Sequence, residues 1–263
     1  MLVPAVKGET KTLAVEIPDE VKDLFNIASN MEGVVPRLPQ IGIIHRGQMF
    51  IMPDESKVDK FEGVIIDQHP ANAWWEKEMS TTGAGAMPDC FSLDGITPDI
   101  NQPRVQSQKC VTCKQNQFGS DAKTGKGKAC KNMKRLHIIM EGSLLPRRLT
   151  IPPTSIKSFE KYMAGLIDRG LPYSCVVSLF SLGKKTSEGF EYSEIQLVKD
   201  RVLNKAELIT VAGFIKQYKD SARVQEIRSD EYIGESNSKN DVFEEVYKDE
   251  IKNNKLPGSD IPF

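Results

Sequence analysis

Four of the five cysteines fall in one short stretch: Cys90, then nineteen residues, Cys110-Val111-Thr112-Cys113, then sixteen residues to Cys130. Two residues between Cys110 and Cys113 let both sulfurs of a tight turn face one cation, and Zn²⁺ takes four such ligands in a tetrahedron. Turn-formers precede the outer pair, Pro88-Asp89 before Cys90 and Gly125-Lys126-Gly127 before Cys130, so each can supply one of the two missing ligands. The expectation is one structural Zn²⁺ on Cys90, Cys110, Cys113 and Cys130. Four thiolates fill the tetrahedron and leave no open position for catalysis. Two other chemistries use such cysteines. Disulfides belong to oxidising compartments, and residues 1–30 lack the basic start and apolar run of a signal peptide. A redox CxxC expects a strand before it and a helix after it, but the flanks here are Gln106-Ser107-Gln108-Lys109 and Lys114-Gln115-Asn116-Gln117.

The elements that must position this stretch are mostly strands. Ile41, Ile43, Ile44, Met49, Phe50 and Ile51 flank His45-Arg46-Gly47-Gln48, which predicts a strand, a tight turn and a second strand. Lys60 to Trp75 continues the β pattern, with Val64-Ile65-Ile66 buried and Asp67-Gln68-His69-Pro70 as a turn. Arg135 to Ile151 reads as two strands around Glu141-Gly142-Ser143. A helix then opens at Pro152-Pro153 and stops at Gly170, with Ile156, Phe159, Met163, Leu166 and Ile167 as its apolar stripe. Tyr173, Cys175, Val177 and Leu179 alternate as one face of a strand, with Cys175 a small buried hydrophobe, and Phe190–Leu197 returns as its hairpin partner. Asn204 with Glu207 three residues on predicts a capping box opening a helix with Leu208, Val211, Ala212, Ile215 and Tyr218. Val21–Ser29 reads as a short helix. The class expected is mainly β (α+β): an OB-fold-like barrel spanning residues 1–228, carrying a zinc-binding insertion at about 81–131, with flanking helices. Residues 229–263 form an acidic, disordered tail, being rich in Ser, Asn, Asp, Glu and Lys.

The net charge of −1 conceals an asymmetry. Residues 104–148 hold eleven Lys or Arg against Asp121 and Glu141, a balance of +9, whereas residues 229–263 hold nine Asp or Glu against four Lys, a balance of −5. A basic middle and an acidic end suit a polyanion-binding body with a tail that does something else. At 263 residues the chain can bury a sizeable core. It contains no apolar run approaching the roughly 18 residues of a membrane span, and no Rossmann or P-loop glycine pattern. A soluble, cytoplasmic protein without a nucleotide cofactor is expected.

The end of the tail, Asp260-Ile261-Pro262-Phe263, resembles the extreme C-terminus of bacterial single-stranded DNA-binding proteins, whose acidic tails end in the same four residues and recruit replication, recombination and repair enzymes. The resemblance covers only the tail, with Glu244, Glu245, Asp249 and Glu250 as a looser acidic lead-in. The tip also has its own physical logic. Phe263 puts an aromatic ring and a terminal carboxylate on one residue, suiting an apolar pocket ringed by Arg or Lys. In layout, the body is similar to the single-stranded DNA-binding proteins of T-even phages, in which an OB-fold holds a zinc insert and an acidic tail follows. That family places a histidine among its zinc ligands, where four cysteines stand here. A phage or mobile-element protein with a host-style tail reconciles the two likenesses.

The function expected is sequence-tolerant coating of single-stranded DNA, with recruitment of partner enzymes through Asp260, Ile261, Pro262 and Phe263, and no catalysis by the chain itself. Bases stack on aromatic rings and phosphates pair with cations. The expected stacking residues are Trp74, Trp75, Phe118 and Tyr192; the expected phosphate contacts are Arg46, Lys126, Lys128, Lys131, Arg135, Arg147, Arg148, Lys184 and Lys185. Adjacent strand residues face opposite ways, so at most one of Trp74 and Trp75 is a platform if the other is core. Two alternatives are a recruitment protein that carries the tail as a mimic without coating DNA, and a zinc-ribbon nuclease. The nuclease would need a carboxylate cluster or an open metal, and the body shows neither a DxD-like pair nor an HxH.

Overall fold

In the computed structural model the described residues are 37–44, 47–77, 87–122, 125–187, 190–225 and 227. The expected helix at Val21–Ser29, Arg46, and the tip Asp260–Phe263 lie outside them. Among the described residues nine strands form one sheet: β1 (Gln40–Ile44), β2 (Met49–Ile51), β3 (Lys57–Val58), β4 (Lys60–Trp74), β5 (Cys90–Ser92), β6 (Lys131–Ile139), β7 (Arg147–Ile151), β8 (Val176–Ser187) and β9 (Phe190–Val202). Two helices among the described residues accompany them, α1 (Pro153–Ile167) and α2 (Lys205–Arg223). The order across the sheet is β3-β2-β1-β7-β6-β4-β8-β9, with β5 on the far end of β4. Only β1–β7 is parallel.

The long strand β4 organises the rest. Its first residues, Lys60–Gly63, pair with β8, and Val64–Ala73 pair with β6, with a register shift between Ile65 and Asp67. The spatial order β8-β4-β6-β7, antiparallel throughout, is fourth-first-second-third of one run, which defines a Greek key. The turn expected at Asp67–Pro70 is therefore a correction: the chain runs straight through it as strand. Pro70 lies between the β8 and β5 pairings, where β4 has β6 as ladder partner on one side and no described strand on the other, the edge-like setting in which strand prolines occur.

The sheet curls into a half-barrel. One buried cluster unites Ile41, Ile43 and Phe50 from one end of the strand order with Ile195 and Leu197 from the other, around Leu136, Ile138, Leu149 and Phe180. Phe61 sits between Phe50 (4.9 Å, edge-on) and Phe180 (4.6 Å, stacked). Such ring pairs add about 0.5–1.5 kcal/mol each beyond burial. Helix α1 fills the concave side. It starts with Pro153 at its first position, where the missing N–H costs nothing. Its Phe159 joins the core, and its buried Ser155 Oγ accepts a hydrogen bond from the Ile195 amide of β9 (2.9 Å).

Helix α2 covers the convex side. The expected capping box is present: Asn204 Oδ1 accepts from the Glu207 amide (3.1 Å) and Glu207 Oε2 accepts from the Asn204 amide (2.8 Å). The stripe that packs is Val211, Phe214, Ile215 and Tyr218, against Val64, Ile66, Ile139, Val177 and Leu203. Leu208 and Ala212, expected inward, are exposed: Ala212 stands one residue off the contact line through Val211, Phe214, Ile215 and Tyr218, and Leu208, one turn earlier, lies beyond the start of that packing. A second correction concerns Tyr173–Cys175, which form a 3₁₀ turn, with β8 beginning at Val176. Pro172 precedes that turn, and Cys175 is half-buried.

Candidate functional site

The connection from β4 to β6, residues 75–130, carries the four-cysteine stretch and is anchored at both ends. Cys90 opens β5 opposite Trp74, and Cys130 immediately precedes β6. Cys110 begins one 3₁₀ turn and Cys113 joins it to the next. Backbone bonds fix the stretch: Cys110 N to Ile96 O (2.8 Å), Cys113 N to Cys110 O (3.3 Å) and Cys130 N to Gln115 O (2.7 Å). Side chains add to these bonds, Asn116 Nδ2 donating a second one to Cys110 O (2.9 Å) and Gln117 Nε2 donating to Val111 O (2.8 Å). Gly119 (φ +87°) and Gly125 (φ +63°) take the left-handed conformation where side chains are costly. All five cysteines are free thiols.

Cys90, Cys110, Cys113 and Cys130 line one pocket together with Trp74, Phe91 and Asn116. Burial pushes the Cys130 thiol well up, and the sulfurs of Cys110, Cys113 and Cys90 push it the same way. Burial likewise raises Cys90, with Cys113 and Cys110 adding to it. Burial and the neighbouring sulfurs therefore both oppose ionisation of Cys90 and Cys130.

The expected stacking residues separate by environment. Trp74 is 8 % exposed and borders the cysteine pocket. Trp75 is half-buried against the small cluster of Ala71, Ala73, Phe91, Met133 and Ile227. Phe118 is 51 % exposed, and Lys128 Nζ stands 5.0 Å from its ring centroid, a cation–π spacing. Lys128 also donates to Asn132 Oδ1 (3.0 Å). Tyr192, half-buried, belongs to the β8–β9 hairpin, directly across from Lys185.

The expected phosphate contacts separate likewise. Lys126, Lys184 and Lys185 are exposed, and Lys131 is half-buried at the start of β6. Arg147 is half-buried, donating to Met140 Sδ (3.2 Å). Arg135 and Arg148, however, are 0 % and 7 % exposed. Arg135 Nη1 donates to the Gln225 carbonyl, and Arg148 Nη1 to Gln225 Oε1 (3.0 Å). Both point into the convex face of the sheet, beneath the chain that leaves α2. The alternation that places Leu136 and Leu149 in the concave core sends their neighbours to this side.

Sequence reasoning missed a polar group on that same face. Asp67, His69 and His137 are 0 %, 4 % and 0 % exposed, and Arg223 at the end of α2 clamps Asp67 through Nε to Oδ2 (2.9 Å) and Nη2 to Oδ1. Burial alone would raise the Asp67 carboxyl, but His137, His69 and Arg223 together hold it well below the usual carboxylate range. Burial pushes the His137 imidazole down, against the pull of Asp67. The signal available was the alternation of polar residues at 67 and 69, obscured by the turn-like composition of Asp67–Pro70. Among the described residues no helix is long and apolar enough to cross a membrane. In comparisons with protein families, curated proteins and solved structures, nothing matches this chain.

Proposed function

We propose that the chain binds single-stranded DNA on an OB-fold-like barrel, holds one structural Zn²⁺ on Cys90, Cys110, Cys113 and Cys130, and recruits partner enzymes through its Asp260–Phe263 tip. The observation that carries this reading is topological. The run β4, β6, β7, β8, β9 is a Greek key extended by one strand, with a helix between its third and fourth members. That order supports an OB-fold reading, in which oligonucleotide contacts come from the second and third strands and from the loops joining first to second and fourth to fifth. In this chain the first-to-second connection is the cysteine stretch with Phe118, Lys126 and Lys128. The fourth-to-fifth connection is the hairpin with Lys184, Lys185 and Tyr192.

The two loops leave opposite ends of β4, since β8 runs past Lys60 to Ser187 while the cysteine stretch follows Trp74. Fifteen strand residues span at most about 50 Å, and a strand of DNA lying between the loops fits the roughly 4–16 nucleotides an OB-fold covers. Phe118 and Tyr192 supply faces for stacking, and the lysines supply sequence-independent charge. The zinc holds a connection that buries little apolar surface of its own. Structural zinc is worth about 10–16 kcal/mol in such segments.

The test is fluorescence-anisotropy titration of a labelled mixed-sequence single strand at two salt concentrations, with matching duplex and RNA as controls. Tight, salt-sensitive preference for the single strand is the expected result. Absence of binding by zinc-loaded protein would overturn the coating function and leave recruitment through Phe263 as the activity to pursue.

A further inference from the structure

The buried polar group on the convex face has the composition and spacing of a second metal site, one that nothing in the cysteine stretch calls for. Asp67 and His69, two residues apart on β4, face the same side, and Asp67 is opposite His137 across the β4–β6 ladder. One ligand atom from each lies within 4.8 Å of the other two. His69 Nδ1 is 3.4 Å and His137 Nδ1 3.6 Å from the same oxygen, Asp67 Oδ2. Ligands around tetrahedral zinc, at bond lengths of about 2.0–2.1 Å, stand about 3.3 Å from one another. The observed separations match that ligand spacing; the His69 contact is also a long hydrogen bond, and the His137 contact is longer still.

The histidines are also underused. His69 Nε2 and both ring nitrogens of His137 are buried without a hydrogen-bond partner, a condition that native interiors avoid. The 24° stack of the two rings, 5.4 Å apart, keeps both imidazoles on the Asp67 side. Arg223 donates to both Asp67 oxygens, Nε to the shared Oδ2 (2.9 Å) and Nη2 to Oδ1, the outer hydrogen bonding that ligating carboxylates carry. The neighbouring Arg135 and Arg148 guanidiniums donate to Gln225.

We propose that Asp67, His69 and His137 bind one first-row divalent transition metal of the zinc and cobalt class. Two imidazoles and one carboxylate suit these ions, whereas calcium and magnesium take oxygen ligands and copper(I) prefers sulfur. The site is structural: it ties β4 to β6 and, through Asp67 and Arg223, to the last turn of α2. It is independent of the cysteine stretch and of the DNA-binding reading.

Cobalt(II) titration of the full chain, followed by absorption, separates the two sites. Cysteine thiolates give intense near-ultraviolet charge transfer, and a His₂Asp site gives only weak visible d–d bands. The expected result is two equivalents bound, one of each kind, with His69→Gln and His137→Gln each abolishing the d–d-only equivalent and leaving the thiolate equivalent intact. Zinc should raise the melting temperature of a Cys113→Ser chain, and the rise should vanish when His137→Gln is added. Saturation of the unmodified chain at one equivalent with full charge transfer overturns the proposal, as does a d–d-only equivalent that survives both histidine variants. A d–d-only equivalent without any charge transfer supports this site while removing zinc from the four cysteines.

Discussion

Arg148 and the pair Lys184 and Lys185 were expected to do the same work, and the fold places them in opposite environments that one pair of assays distinguishes. Arg148 is 7 % exposed and donates to Gln225 Oε1 at 3.0 Å and, more weakly, to Gln40 Oε1 at 3.4 Å. A hydrogen bond to a charged group contributes about 1.5–3 kcal/mol, and loss of the packed side-chain stem adds to that. Arg148→Ala should therefore cost about 2–4 kcal/mol in total. For a body of this size that lowers the melting temperature by about 4–16 °C, while the slope of log affinity against log salt stays as it was. Lys184 and Lys185 are exposed, and the Lys185 Nζ to Glu194 Oε2 contact of 3.7 Å is a surface pair worth about 1 kcal/mol or less. Replacing both by Ala should leave the melting temperature within a few degrees. The salt slope should flatten by about 1.4, at about 0.7 per phosphate contact on a single strand. Calorimetry and anisotropy titration at four or five salt concentrations give both quantities. A flattened slope with an unmoved melting temperature in Arg148→Ala would overturn the buried role of Arg148, because it would mean that the chain after α2 lifts away and that the convex face meets DNA.

Three other perturbations test separate parts of the structure. Phe118→Ala, which removes a half-exposed ring under Lys128, should cost about 1–3 kcal/mol of single-strand affinity, roughly 5- to 150-fold; a change below twofold in the anisotropy titration removes Phe118 from the contact surface. Glu207→Ala breaks the capping box and the two 2.9 Å bonds to Arg201, for a loss of about 1.5–3 kcal/mol. Because Arg201 holds the Glu207 carboxyl below its ordinary 4.5, that stabilisation is full above about pH 4.5 and is lost as pH falls through the folded value, so the gap in melting temperature between the two proteins should narrow at pH 3, and a gap of constant size would contradict the ion pair. Deleting residues 229–263, which carry a balance of −5, should tighten single-strand binding at low salt and change little near 1 M, where the Debye length is about 3 Å; equal affinity with and without the tail at low salt would exclude charge competition.

Local chemistry was legible in the sequence wherever a few neighbouring residues settle it. The cap at Asn204 and Glu207, the helix opening at Pro153, the strands on either side of Glu141–Ser143 and the close pair Cys110 and Cys113 all depend on contacts within about one turn or one strand, and composition alone identifies them. The mainly β class followed from the same short-range alternation. Tertiary structure decided the rest. Asp67-Gln68-His69-Pro70 has the composition of a turn and becomes the middle of a fifteen-residue strand, because pairing with β6, more than sixty residues away, outweighs a local preference worth about 1 kcal/mol. Arg135 and Arg148 look like phosphate contacts in a basic stretch, but strand alternation turns them to the convex face, where Gln225 receives both. No sequence pattern joins His69 to His137 or Arg223 to Asp67. Those contacts exist only because a sheet brings distant strands side by side and a helix closes over them, and the cost of burying their charges and ring nitrogens is set by that closure.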